Sequence, residues 1–288
     1  MMRRRPELRA TLAVVIFSAA YAYPQSAPNK PAPRPQNSPT YGPSRGSLVL
    51  LGGIRPGPAI NSAFVTLAGG ASSHIVVIPT ASIGDAGPPG WVPNLTRRMK
   101  ETFGVADVIV LHSLDRVTAD SDRFVEPLRN ATGLWILGGF PGRMVYSYLG
   151  TRTERAIYEL LDRGGVVGGE SAGAMIQGSW LDTTDDEFTP EIRALIKTYG
   201  RGGFGLLKRA AVFPHFDERG SAAAVKFSAE YPDQLGIGID NAAALIVKGD
   251  RVEVIGQGTV SIYDGRRRGG ADPVVLHSGE RYDLASAK

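Results

Sequence analysis

Not one cysteine occurs in the 288 residues of the chain. Disulfides, thiolate-bound metal and a cysteine nucleophile are thereby excluded. Histidine is nearly as scarce: there are four, so chemistry that needs an imidazole has four addresses. The apolar run at residues 12–17 falls well short of the roughly 20 residues a membrane-spanning helix requires. An excess of positive charge is also missing from most of the chain. Of the net +4, +3 resides in the first 22 residues, where Arg3, Arg4, Arg5 and Arg9 stand against Glu7. The remainder is close to neutral, which gives no footprint for nucleic acid.

The leader has a basic start, a short apolar stretch and small residues at Ala20 and Ala22. That pattern predicts a secretory signal peptide over residues 1–22, hence an exported protein, periplasmic or extracellular, with no membrane attachment after cleavage. Residues 23–46 carry seven prolines among Ser, Asn and Gln. Proline removes backbone donors and favours extended neighbours, so this stretch reads as a disordered or polyproline-like linker. Residues 47–288 are then one domain. At 43% hydrophobic and 21% charged residues overall, the chain can bury a large core.

Within that domain, short apolar runs at residues 48–51, 74–79, 106–111, 133–137 and 166–167 alternate with helical patterns at 59–67, 94–103 and 151–163. The alternation predicts an α/β fold with a doubly wound, mostly parallel sheet. Five β runs follow in quick succession from Ala210 to Tyr263 and predict an antiparallel extension of that sheet. Ligand sites in such sheets lie beyond the C-terminal ends of the strands.

One stretch on that edge carries chemistry. Residues 165–178 read GVVGGESAGAMIQG: a strand, a sharp turn at Ser171 and helix-forming residues after it. A serine on such a turn is held with its hydroxyl exposed above the sheet, and the N–H of Ala172 is placed to receive an oxyanion. A turn that only packs, or binds phosphate, has a similar pattern. A serine nucleophile needs a base oriented by a carboxylate. His215 follows an apolar strand and so lies on the edge of Ser171; His112 is a weaker candidate, and His74 and His277 are placed elsewhere. The acidic loop Asp185-Asp186-Glu187 lies between Ser171 and His215 and offers the acid, in the order serine, acid, histidine.

The residues resemble a known family. LVLLGG from Leu48, IPTAS from Ile78, LGG from Leu137, GGVVGGESAGAM from Gly164, PHF from Pro214 and LGIGIDNAAALIV from Leu235 occur in this order. Together they are similar to the serine peptidases that include dipeptidase E and cyanophycinase, with a fold like that of the class I glutamine amidotransferases. The resemblance implies Ser171 as nucleophile and His215 as base. It implies Asp186 as the acid, fifteen residues after Ser171, with Glu187 as the reserve. Gly138 or Gly139, with Ala172, would form the oxyanion hole, and no cofactor or metal is needed. Phe140, Arg143, Glu170 and Arg219 are the candidates for contact with substrate; the two guanidinium groups suit a carboxylate. The chain departs from cyanophycinase at Phe140-Pro141, where a polar residue is expected. It also departs at Pro214, and at Asn241, where that subgroup has a glutamate. The expected function is therefore an exported serine peptidase acting on short or aspartyl-containing peptides, with homodimers common in the family. An esterase of the α/β-hydrolase type and an inactive binding protein of the same fold are the alternatives.

Export has a direct test. Mass spectrometry of the protein recovered from outside the cytoplasm should find a new N-terminus just after Ala22, and an intact Met1 there would overturn the expectation.

Overall fold

The computed structural model describes residues 39–83, 90–184, 187–266 and 272–286. The expected signal peptide and the candidate acid Asp186 lie outside them. In Ser47–Leu51 (β1) every residue is buried. The side chains alternate: Leu48 and Leu50 enter one apolar cluster, Val49 and Leu51 another. A strand with core on both faces is a central strand.

The chain continues through α1 (Pro58–Leu67), β2 (His74–Ile78), α2 (Trp91–Phe103), β3 (Asp107–Val110), α3 (Arg116–Ala119), α4 (Asp122–Asn130) and β4 (Gly133–Ile136). Then come α5 (Pro141–Tyr148), α6 (Arg152–Asp162), β5 (Val166–Glu170), α7 (Ala172–Met175) and α8 (Pro190–Tyr199). The last part comprises β6 (Ala210–Pro214), α9 (Phe216–Arg219), α10 (Ala222–Glu230), β7 (Leu235–Ile239), β8 (Ala243–Lys248), β9 (Arg251–Gly256), β10 (Val260–Asp264), β11 (Val274–Leu276) and β12 (Arg281–Asp283).

Among the described residues, eight strands form the main sheet in the order β12-β9-β8-β1-β5-β4-β2-β3. Its half from β1 to β3 is parallel, and β8, β9 and β12 extend it antiparallel. Helices cover both faces. Ile60, Phe64, Leu95, Met99 and Phe103 of α1 and α2 pack on one. Residues of α4 to α8, such as Leu128, Val145 and Leu160, pack on the other. On the first face Phe64 meets the edge of Trp135 at 4.8 Å between centroids, a geometry that favours aromatic pairs.

The antiparallel extension holds for β8 and β9 but not for the strands on either side of them. β6 and β7 pair in parallel, and with β10 and β11 they form a second sheet. The reason is the crossover at residues 215–234. Parallel neighbours need a connection of a dozen residues or more, and α9 and α10 supply it.

The two sheets meet at the glycine pair that ends β1. The His215 N–H donates to the Gly52 carbonyl at 3.2 Å. A Cβ on Gly52 would sit 2.3 Å from the Ile239 and Asp240 carbonyl oxygens, and one on Gly53 would sit 2.4 Å from the Asn241 oxygen. Only the absence of side chains lets the two strand ends approach this closely.

The linker ends sooner than the sequence suggests. Tyr41 is 1% exposed. Asp250 accepts the N–H groups of Thr40 and Tyr41, at 3.0 and 2.7 Å. The Tyr41 hydroxyl takes a hydrogen bond from Arg266, which Asp264 grips with both oxygens. Proline content hid an aromatic anchor. Tyr41→Ala should destabilise the fold by about 3–5 kcal/mol, the usual loss for a large buried aromatic. Urea unfolding would measure it, and an unchanged midpoint would show that residues 39–46 contribute nothing to the fold.

Candidate active site

Ser171 follows β5 directly and opens α7. Its φ of 50° and ψ of −116° lie outside the regions favoured by ordinary residues. Three described non-glycine residues have positive φ: Ser171, Arg209 and His215. Two of the three face each other, and strained backbone of this kind gathers at functional sites. The turn is enforced by packing. A Cβ on Gly173 would lie 2.1 Å from the Ile136 carbonyl oxygen, so α7 can dock against β4 only with glycine there. The Ser171 N–H is fixed by the Leu51 carbonyl at 3.0 Å.

His215 stands just beyond β6 in the left-handed conformation, φ 55° and ψ 38°. Its Nε2 is 2.8 Å from Ser171 Oγ. Its Nδ1 is 2.5 Å from Asn241 Oδ1. An amide oxygen only accepts, so this contact suits the tautomer with its proton on Nδ1, which leaves the Nε2 lone pair facing the serine hydroxyl. A hydroxyl in this arrangement can be deprotonated as it attacks a carbonyl carbon.

The other histidines are engaged away from Ser171. His74 pairs with Asp107 at the opposite end of the strands. The His112 ring meets Thr80 Oγ1 at 2.9 Å and the edge of Trp91. His277 sits near β11, its N–H donated to Glu280.

Asn241 faces Nδ1, and Asp186 lies outside the described residues. Glu187, the reserve, lines a cleft with Phe140 and Arg143 on the other side of Ser171. The sequence signal for Asn241 was its place in the stretch LGIGIDNAAALIV, just past β7. The register Pro214 to Ile239 between β6 and β7 sets the residues that follow these strands side by side.

Two clefts meet at Ser171. One, of about 800 Å³, is lined by Arg55, Arg98, Gly138, Glu170 and His215. The other, of about 820 Å³, is lined by Phe140, Arg143, Met175, Glu187 and Arg219. Ser82, Gly139 and Ser171 belong to both. Of the four substrate candidates, Glu170 faces the first cleft, and Phe140, Arg143 and Arg219 face the second. Arg143 is held by the Ala81 carbonyl at 3.0 Å.

Glu170 also touches one of the expected oxyanion donors. Its Oε1 accepts the Gly138 N–H at 3.4 Å. Burial pushes its carboxyl up to about 7, with the Gly138 N–H and the positive charge of Arg98 opposing the rise.

The description of peptidase family S51 fits residues 48–255. A cyanophycinase of Geminocystis herdmanii is 28% identical over 261 residues, covering 83% of this chain and 94% of its own. A cyanophycinase of Synechococcus elongatus is 28% identical over 230 residues, covering 77% of this chain and 69% of its own. The crystal structure of a peptidase from an acI-B1 Actinobacterium superposes with a TM-score of 0.65 at 25% identity, over 83% of this chain and 97% of that one. A putative peptidase E protein from Listeria monocytogenes has the same fold, with a TM-score of 0.52 at 18% identity over 74% of this chain and 98% of its own.

The buried carboxyl gives a prediction with a definite sign. Free glutamate ionises near 4.5, and Glu170 in the folded chain at about 7. The folded state therefore holds this proton more tightly than the unfolded state. Stability from the group is intact below pH 4.5 and is lost as pH rises through 7. Glu170→Gln should remove on the order of 2 kcal/mol of the stability change between pH 5 and 8. Urea titrations at both pH values would show it, and parallel pH dependence in the two proteins would contradict it.

Proposed function

The chain belongs to peptidase family S51 and is a serine-type peptidase, and on the geometry of its site we propose that Ser171 and His215 do the work. Ser171 Oγ attacks the carbonyl carbon of the scissile peptide bond. His215 Nε2 takes the hydroxyl proton and returns it to the leaving amine. The acyl group left on Ser171 is then released by water, activated by the same imidazole. The observation that carries this reading is the 2.8 Å contact between Ser171 Oγ and a His215 Nε2 whose lone pair faces it.

The tetrahedral oxyanion would be held by the N–H groups of Ala172 and Gly139. Gly138 is the other candidate donor, and its N–H is directed to Glu170. Removing one such donor typically costs about 3 kcal/mol of barrier.

We propose short or aspartyl-containing peptides as substrates. The likeness to cyanophycinases supports a specialised peptide, and Arg143 and Arg219 beside Ser171 give a cleft that suits a substrate carboxylate. The leader supports an exported enzyme.

The test is turnover by the full chain and by Ser171→Ala on one peptide mixture that includes N-terminal aspartyl dipeptides and cyanophycin, read by mass spectrometry. The parent should cleave a subset of these. The variant should lose at least about 10⁴-fold of that activity. Equal cleavage by both would remove Ser171 from the mechanism.

A further inference from the structure

Of the two clefts that meet at Ser171, His215 lines the first and not the second. This placement decides which part of a substrate each cleft receives. The imidazole that takes the Ser171 proton hands it to the leaving amine, so that amine lies within hydrogen-bond reach of Nε2. The leaving residue is then directed into the first cleft and the acyl portion into the second. From the amine nitrogen to the carboxylate carbon of the same residue is only two bonds, about 2.5 Å. Groups that recognise this end of the substrate therefore line the first cleft.

The charges of the two clefts differ. The second sets Arg143 and Arg219 against Asp182 and Glu187, and Arg143 is already held by the Ala81 carbonyl. The first has Arg55, Arg98, Glu170 and His215 as its charged or titratable groups. Arg55 lies in the loop after β1 and Arg98 on α2, and both are exposed. Among the described residues neither guanidinium is committed to a hydrogen bond or an ion pair. Burial keeps the Glu170 carboxyl largely protonated below about pH 7. His215 gains a positive charge as Ser171 attacks. The first cleft is thus positive when the amine departs, which suits an anion. A planar guanidinium grips a carboxylate through two parallel N–H groups.

We propose that the first cleft is the leaving-side pocket and that Arg55 and Arg98 are its specificity-determining residues, recognising a carboxylate on the residue released with the amine. The proposal rests on the serine peptidase reading above. In the acylation step the bond from Ser171 Oγ to the carbonyl carbon forms, the carbon–nitrogen bond breaks, and His215 carries the serine proton to the nitrogen. The two arginines touch neither bond and hold the departing residue. Its carboxylate is either the α-carboxylate of a C-terminal residue or an acidic side chain, and the test separates these sources.

Four probes are used: aspartyl-leucine, its C-terminal amide, and the C-terminal amides of aspartyl-glutamate and aspartyl-glutamine. Turnover is read with the full-length parent, and binding with full-length Ser171→Ala by calorimetry. The leucine pair reports the α-carboxylate, and the glutamate–glutamine pair reports the side chain. In at least one pair the carboxylate probe should exceed its neutral counterpart by about tenfold in kcat/KM and in affinity. Arg55→Met and Arg98→Met should each lower that ratio at least about threefold, through KM, and the double variant should bring it to about one.

The proposal is overturned if neither pair differs, if the preference survives in the double variant, or if Arg219→Met abolishes it instead. Binding by Ser171→Ala needs no chemistry. If the arginine-dependent preference appears there while the parent cleaves nothing, the peptidase roles fail and the carboxylate site stands. If the parent cleaves all four probes equally and Ser171→Ala cleaves none, the peptidase roles stand and the carboxylate site fails.

Discussion

Ser171 and His215 come from different sheets, and everything at the site depends on the joint that brings those sheets together. Ser171 ends a strand of the main sheet, and His215 ends a strand of the smaller one. The His215 N–H to Gly52 carbonyl bond locks the two strand ends in contact. It is possible only because Gly52 and Gly53 have no side chains. A weak serine nucleophile requires its base within hydrogen-bond reach, and that distance is set here by backbone packing rather than by side-chain reach. Leu51 does a second service, since its carbonyl accepts the Ser171 N–H. β1 is thus the common support of both residues.

The electrostatics around this joint are divided unequally. Asn241 brings a dipole and no net charge to the back of His215. Glu170, directly before the serine, brings a carboxyl that burial keeps protonated until about pH 7. A charged carboxylate near a developing oxyanion would oppose it, so a neutral Glu170 suits the chemistry better than an ionised one. Its hold on the Gly138 N–H also sets apart two adjacent glycines that sequence treats as equivalent.

Much of the fold could be read from the chain. The runs that became β1, β2, β4 and β5 are short, apolar and largely buried on both faces, and the edge strand β3 is a short apolar run as well, so their pattern carried the information. Ser171 was legible because its turn needs glycines on both sides, and His215 because few histidines compete. The second sheet was not legible. Its crossover helix α10 is rich in alanine and has a weak polar face, and without it β6 and β7 read as members of a meander. Asn241 was missed as a partner for the same reason. Counting from Ser171 points to the acidic loop at 185–187, whereas the neighbour of His215 is chosen by strand register after that crossover. Tyr41 was hidden by the prolines before it, which say nothing about whether a single aromatic finds a pocket.

The anchorage of Tyr41 bears on geometry at the scale of the whole body. β1 runs from Ser47 towards the turn at Ser171, and Tyr41 precedes it. Asp250, which grips Tyr41, lies in the turn between β8 and β9, beside the start of β1. Tyr41 is therefore anchored at the edge of the sheet opposite Ser171. The residues that hold Tyr41 line neither cleft at Ser171, so loosening that anchor and reshaping the clefts are separate interventions at the two ends of one strand.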